Sequence, residues 1–142
     1  MKITKIVIDE NRWLRAGWNG GLITDYKNMP EYREDWPKDK TDQSSLFNEQ
    51  TQRMCCLGFA SCAAGLKKKE IQNAVAPSSL DKEAKKKIIK HLPWLLDAGG
   101  SDSKAGQELM GINDNDKITL PKKRARIKEI FAEHGIDVIF TR

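Results

Sequence analysis

The chain has 142 residues and a mass of 16.1 kDa, which fits one compact domain, with residues 27–50 read as a long loop or insertion. Apolar residues make up 39%, charged residues 32%, and the mean hydropathy is −0.63, so the core is small and the surface heavily solvated. No run reaches the roughly 18 apolar residues of a membrane span, no apolar h-region follows Met1-Lys2-Ile3, and three cysteines make no disulfide scaffold. These features predict a basic, cytoplasmic α+β domain.

In chain order, residues 2–9 are β-branched and predict a strand. Glu10 to Arg15 fits a helical turn or a continuation of that strand. Asn19-Gly20-Gly21 marks a turn, and Leu22 to Tyr26 a second short strand. Residues 27–50 are polar, hold Pro30 and Pro37, and keep Met29, Tyr32, Trp36 and Phe47 as isolated apolar anchors.

Residues 51–65 predict a buried helix closed by Gly65. Its small residues, Gly58 among them, would let other elements approach closely. Lys67 to Ile71 opens a short helix, and Pro77-Ser78-Ser79 breaks the chain. A helix over 80–92 follows, with Ser78 and Asp81 as a capping pair and Ile88, Ile89 and Leu92 as its apolar edge. Pro93 to Leu96 supplies a plug, Ala98 to Asp102 a turn, residues 103–111 a helix, and residues 112–116 a turn-rich junction.

The last unit is the clearest. Thr119 fits an N-cap, Pro121 the first turn, and Ile127, Ile130 and Phe131 the apolar stripe. Gly135 then closes the helix, and Ile136, Val138 and Phe140 alternate as a strand. Strands near both ends predict a small sheet joining them, packed on the Cys/Ala-rich helix and the last helix. The expected core is Ile6, Ile8, Leu57, Phe59, Cys62, Ile88, Leu92, Leu109, Ile127, Phe131, Val138 and Phe140.

The order of these pieces resembles a group of small uncharacterised proteins of bacteriophage and prophage genomes. The likeness is carried by Met54-Cys55-Cys56-Leu57-Gly58-Phe59, by Leu92-Pro93-Trp94-Leu95, by Asn113-Asp114 and by Ile127 to Phe140. It excludes residues 27–50. The resemblance implies a phage origin and action on host machinery, but no assigned activity.

No residue set makes a strong catalytic signature. Cys55, Cys56, Cys62, His91 and His134 lack the spacing of a zinc site, and no cofactor is expected. Cys55 and Cys56 near a helix start suit a thiolate, but no base stands at a telling spacing. Asn113-Asp114-Asn115-Asp116 suggests an oxygen-rich loop. The sixth and twelfth places of an EF-hand would fall on Ile118 and Arg124, so it is read as a turn. No phosphate-binding glycine loop is present.

Net charge is +5, and residues 51–142 carry 17 basic against 11 acidic side chains. The basic runs are Lys67-Lys68-Lys69, Lys82 with Lys85-Lys86-Lys87 and Lys90, and Lys122-Lys123-Arg124 with Arg126 and Lys128. Such runs are either solvated helix faces or a site for nucleic acid or nucleotide. Arg12, Arg15 and Arg53 are candidate phosphate ligands, because guanidinium grips phosphate bidentately. Trp13, Trp18, Trp36 and Tyr26 could stack bases, and Trp18, Trp36 and Trp94 could anchor a protein partner.

The leading expectation is a non-enzymatic, phage-encoded accessory protein of the host cytoplasm. It would bind a host protein and, in the sharper version, inhibit host defence. The alternative is a nucleic-acid or nucleotide binder using the basic second half, through Lys122, Lys123, Arg124 and Arg126. No membrane partner is expected.

Overall fold

The computed structural model describes residues 2–14, 45–49, 52–115 and 118–142. Among these residues the fold is α+β. Strand β1 is Lys5–Asp9 and β2 is Asp137–Thr141. Between them the described residues form five α-helices: α1 Cys56–Ala63, α2 Lys68–Ile71, α3 Lys82–His91, α4 Lys104–Asp114 and α5 Leu120–Ala132. The expected strand Leu22–Tyr26 and most of the expected loop 27–50 lie outside the described residues.

The two strands pair in parallel, with Ile6 opposite Val138 and Ile8 opposite Phe140. Side chains alternate across a strand, so these four face inward, while Val7 and Ile139 face out. Ile6, Ile8 and Val138 are buried. Half-buried Phe140 lies against the Trp13 ring at 5.2 Å. Parallel sheets need cover, and here α1 packs on β1 and α5 on β2. Lys128 of α5 reinforces the second contact by donating to the Val138 carbonyl at 2.7 Å and the Asp137 carboxylate at 2.8 Å.

Helix α1 is the buried centre, as its apolar composition demands, but it is shorter than the 51–65 expected. Arg53 and Met54 are extended instead: Met54 N–H donates to the Arg12 carbonyl, and Asn48 N–H to the Arg53 carbonyl. These bonds to other segments outcompete the first helical turn. Gly65 closes the helix at φ +99°, a left-handed conformation that glycine adopts without strain.

Gly58 has a different reason to be glycine. A Cβ there would lie 1.8 Å from the Leu46 carbonyl oxygen. The absent side chain lets residues 45–47 cross directly over α1, where Leu46 N–H bonds the Ala74 carbonyl and the Phe47 carbonyl accepts from Asn73. Leu46 and Phe47 are both buried, so this part of the expected loop belongs to the core.

Helix α3 has Asp81 as its N-cap, accepting from Ala84 N–H at 2.8 Å. Ser78, expected to share that role, instead donates its hydroxyl to Asp102 at 2.5 Å. Helix α4 runs on through Asn113 and Asp114, which the sequence reading assigned to a turn. Thr119 occupies the α5 N-cap position without a side-chain cap bond, and Gly135 ends the unit at φ +78°. All the expected core residues are buried except Cys62 and Phe140, which are half-buried against the core.

Among the described residues no helix is long and apolar enough to cross a membrane.

Candidate functional site

Asn113 organises the polar interior. Its side chain is 1% exposed. Its amide oxygen accepts from the Trp13 indole N–H at 2.7 Å and from Cys56 N–H at 3.0 Å. Its NH2 group donates to the Leu14 carbonyl at 2.9 Å and to the Asp114 carboxylate at 2.9 Å. The first amides of a helix lack partners within it, and the Cys55 side chain makes no cap bond. Asn113 therefore caps α1 from a neighbouring helix, while tying α4 to the segment after β1.

Three of the candidate binding residues are consumed by this network. Trp13 is fully buried, its indole spent on Asn113 and its carbonyl accepting from Arg53 Nη1 at 3.2 Å. Arg53 is 1% exposed, so its guanidinium faces the interior and not a phosphate in solution. Lys123 is 4% exposed and donates to the Asn113 carbonyl at 2.9 Å, an end-of-helix oxygen for which a cation is the favoured partner. Burial removes all three from any surface that a macromolecule could meet.

Most of the remaining α5 cluster is committed, with Arg124 and Arg126 half-buried and Lys128 exposed. Arg124 is bonded to buried Glu10, whose other oxygen lies 3.7 Å from Arg142. Arg126 bridges Glu108 and Glu129, and its guanidinium is held further into the charged form chiefly by the hydrogen bond it donates to Glu108. Lys128 is taken by Asp137. Lys122 and Arg12 are exposed. Arg15, Trp18 and Trp36 lie outside the described residues. Lys123, Arg124, Arg126 and Lys128 are thus engaged across the fold, which disperses the site expected on α5.

The thiols are unsuited to nucleophilic chemistry. All three cysteines are free. Burial pushes the Cys55 thiol up to about 12, with the Asp114 charge adding to the rise. Burial also drives Cys56 well upward, and Cys62 more mildly. Position at a helix start favours thiolate, but desolvation wins here. Cys62 instead lies with its sulfur 3.7 Å from the Met54 sulfur. Among the described residues no three His, Cys, Asp or Glu side chains gather as a metal site would require. His134 is exposed and stacks flat on Trp94, ring centres 4.0 Å apart.

Among the described residues one basic surface remains, formed by residues 67–91. This segment holds eight lysines against Glu70, Asp81 and Glu83, a balance of +5 that equals the net charge of the whole chain. Seven of these lysines are exposed, and Lys85 is half-buried. Helices α2 and α3 meet where Lys87 reaches Glu70 at 3.4 Å, joining the two lysine runs into one face. Glu70 is held below the usual carboxylate range, first by the Lys67 backbone N–H and then by Lys87. Lys86 pairs with Glu83 at 3.3 Å, but both are widely exposed, and such a pair contributes only about 0–1 kcal/mol. Sequence reasoning noticed these runs but weighted the last helix instead.

No protein-family model, curated protein or solved structure matches this chain.

Proposed function

We propose that this protein is a binding protein for an anionic polymer, nucleic acid, which it engages through the lysine face of α2 and α3. The observation that carries the reading is the charge separation. Outside residues 67–91 the chain carries 17 basic and 17 acidic side chains, whereas residues 67–91 present a surplus of +5, the entire net charge, mostly on exposed lysines. A polyanion gains most from such a face, because each neutralised phosphate releases counterions. A protein partner would need exposed aromatic anchors. Of the tryptophans among the described residues, Trp13 is buried, and Trp94 is covered by His134 on one face and packed edge-on to Phe131.

The reading as a phage-encoded accessory protein rests on the resemblance of Met54 to Phe59 and the last helix–strand unit. Within this proposal the polymer is host or phage nucleic acid, and any interference with host defence acts through it.

Fluorescence anisotropy with a labelled duplex tests the proposal. If about four lysines each neutralise one phosphate, affinity should fall about a hundredfold between about 50 and about 200 mM salt. Lys68→Glu with Lys69→Glu and Lys90→Glu should weaken binding by about tenfold or more and flatten that slope. Lys123→Met should lower stability and leave affinity unchanged. Salt-independent binding, or equal weakening by neutralising Lys122 on α5, would overturn the assignment. So would a stoichiometric protein partner that resists nuclease and salt.

A further inference from the structure

A cleft of about 440 Å³ opens at one side of the lysine face. Lys82, Lys85, Lys86 and Ile89 of α3 form one wall, and the turn Ala98-Gly99-Gly100 forms the other. The turn is fixed at its base. Gly100 N–H donates to the Asp97 carbonyl and Asp97 N–H to the Ser101 carbonyl, both at 2.8 Å. Asp102, just beyond, is bonded to the Ser78 hydroxyl and backbone N–H. Gly100 sits at φ +84°, and a Cβ there would come within 3.4 Å of the Lys85 amine. The two glycines therefore keep the second wall bare and leave the Lys85 amine room to move.

The walls are chemically mixed. Three ammonium groups border the cleft, and among the described residues the only acid paired to any of them is Glu83, at the exposed Lys86. Beside them Ile89 is 47% exposed, an apolar side chain that the fold leaves uncovered. Lysine stems extend this apolar surface while their heads stay polar. The helix N-terminus plays no part, since Asp81 already occupies it. A simple anion would use the lysines and waste Ile89; an apolar ligand would do the reverse. A ligand with a phosphate and a flat, weakly polar ring uses both, and the volume lies in the range of small-molecule sites.

We infer that this cleft binds a nucleoside monophosphate unit, with the phosphate on Lys82, Lys85 and Lys86 and the base against Ile89 and Ala98. The inference deepens the polyanion reading and rests on it for the charge of the face. The unit has two sources, a free nucleotide or the phosphorylated end of a strand.

The test is a titration of the isotope-labelled protein with adenosine 5′-monophosphate, following the Gly99 and Gly100 amide resonances. A saturable shift is expected, with inorganic phosphate and adenosine each binding at least about tenfold more weakly. Ile89→Ser, on the exposed edge of α3, should weaken the nucleotide about tenfold while leaving phosphate and duplex binding unchanged. Lys85→Ala should weaken nucleotide and phosphate together. Displacement by a 5′-phosphorylated oligonucleotide, but not by its 5′-hydroxyl form, assigns the occupant to a strand end. Failure of both oligonucleotides to displace it assigns a free nucleotide. No saturable shift at these amides, or equal affinity for phosphate and nucleotide, overturns the inference. The Lys68→Glu/Lys69→Glu/Lys90→Glu variant separates the two readings, because it should weaken duplex binding by about tenfold or more and keep the nucleotide. Duplex binding without nucleotide binding sinks the cleft alone, and nucleotide binding without duplex binding sinks the face alone.

Discussion

Asn113→Ala should remove about 3–5 kcal/mol of stability, a large share of the roughly 5–15 kcal/mol typical of a domain. The side chain serves three buried groups outside its own helix: the Trp13 indole, the Cys56 amide and the Leu14 carbonyl. Leaving a buried polar group without its bond costs about 1–3 kcal/mol, and partial relaxation keeps the sum below the simple total. Alanine also leaves a void where the amide stood, though that term is smaller. The loss is concentrated because one residue both caps α1 and closes α4 onto the segment after β1. Urea unfolding followed by tryptophan emission measures it. With a slope of about 1–3 kcal/mol per molar urea, the midpoint should fall by about 2 M, or the variant should be unfolded without denaturant. A shift worth less than about 1 kcal/mol, at unchanged slope, would refute the view that Asn113 is the hub of the interior.

Two further outcomes follow from the same geometry. Gly58→Ala gains about 1 kcal/mol of helix propensity but drives a methyl group into the Leu46 carbonyl, so a net loss of about 2 kcal/mol or more is expected on thermal melting. An unchanged or raised melting point would mean that residues 45–47 do not cross α1 as described. The buried thiols make stability fall in alkali. Cys55 keeps its proton to about 12 when folded, against an ordinary value of 9.0. The folded state therefore binds the proton more tightly. The contribution is complete below pH 9 and is lost as pH rises from 9 toward 12, on the order of 1 kcal/mol per pH unit. Cys55→Ala should blunt that fall in pH-dependent unfolding, and half-buried Cys62 should be the first thiol alkylated in the native protein.

Periodicity made much of this fold legible. The β-branched run ending at Asp9 and the alternation at Val138 and Phe140 foretold both strands and their pairing. The stripe of Ile127, Ile130 and Phe131 foretold α5, and Gly65 and Gly135 marked their helix ends. Asn113 escaped because asparagine beside aspartate is the usual mark of a turn. A signal was nonetheless present: Gly106, Leu109 and Asn113 share the buried face of α4 at helical spacing, so Asn113 continues an apolar stripe as a polar residue. The lysine clusters were visible as runs, but their availability was not. Arg124 finds Glu10 across 114 positions and Arg126 finds Glu108 across 18, and no local pattern announces such partners. Charge matching is a tertiary property, which is why the candidate site moved from α5 to α2 and α3.

The pairing of β1 with β2 also sets the order of events during synthesis. Lys5 meets Asp137, 132 positions later, so β1 emerges from the ribosome long before the strand it pairs with. Its inward side chains, Ile6 and Ile8, stay uncovered by the sheet until residue 141 has been made. Closing so long a loop adds only a logarithmic entropy, but it delays the step that seals the core. The helices can gather first on local contacts; the sheet then acts as a clasp. A nascent chain stalled before residue 137 would expose its first strand to whatever edge lies nearby.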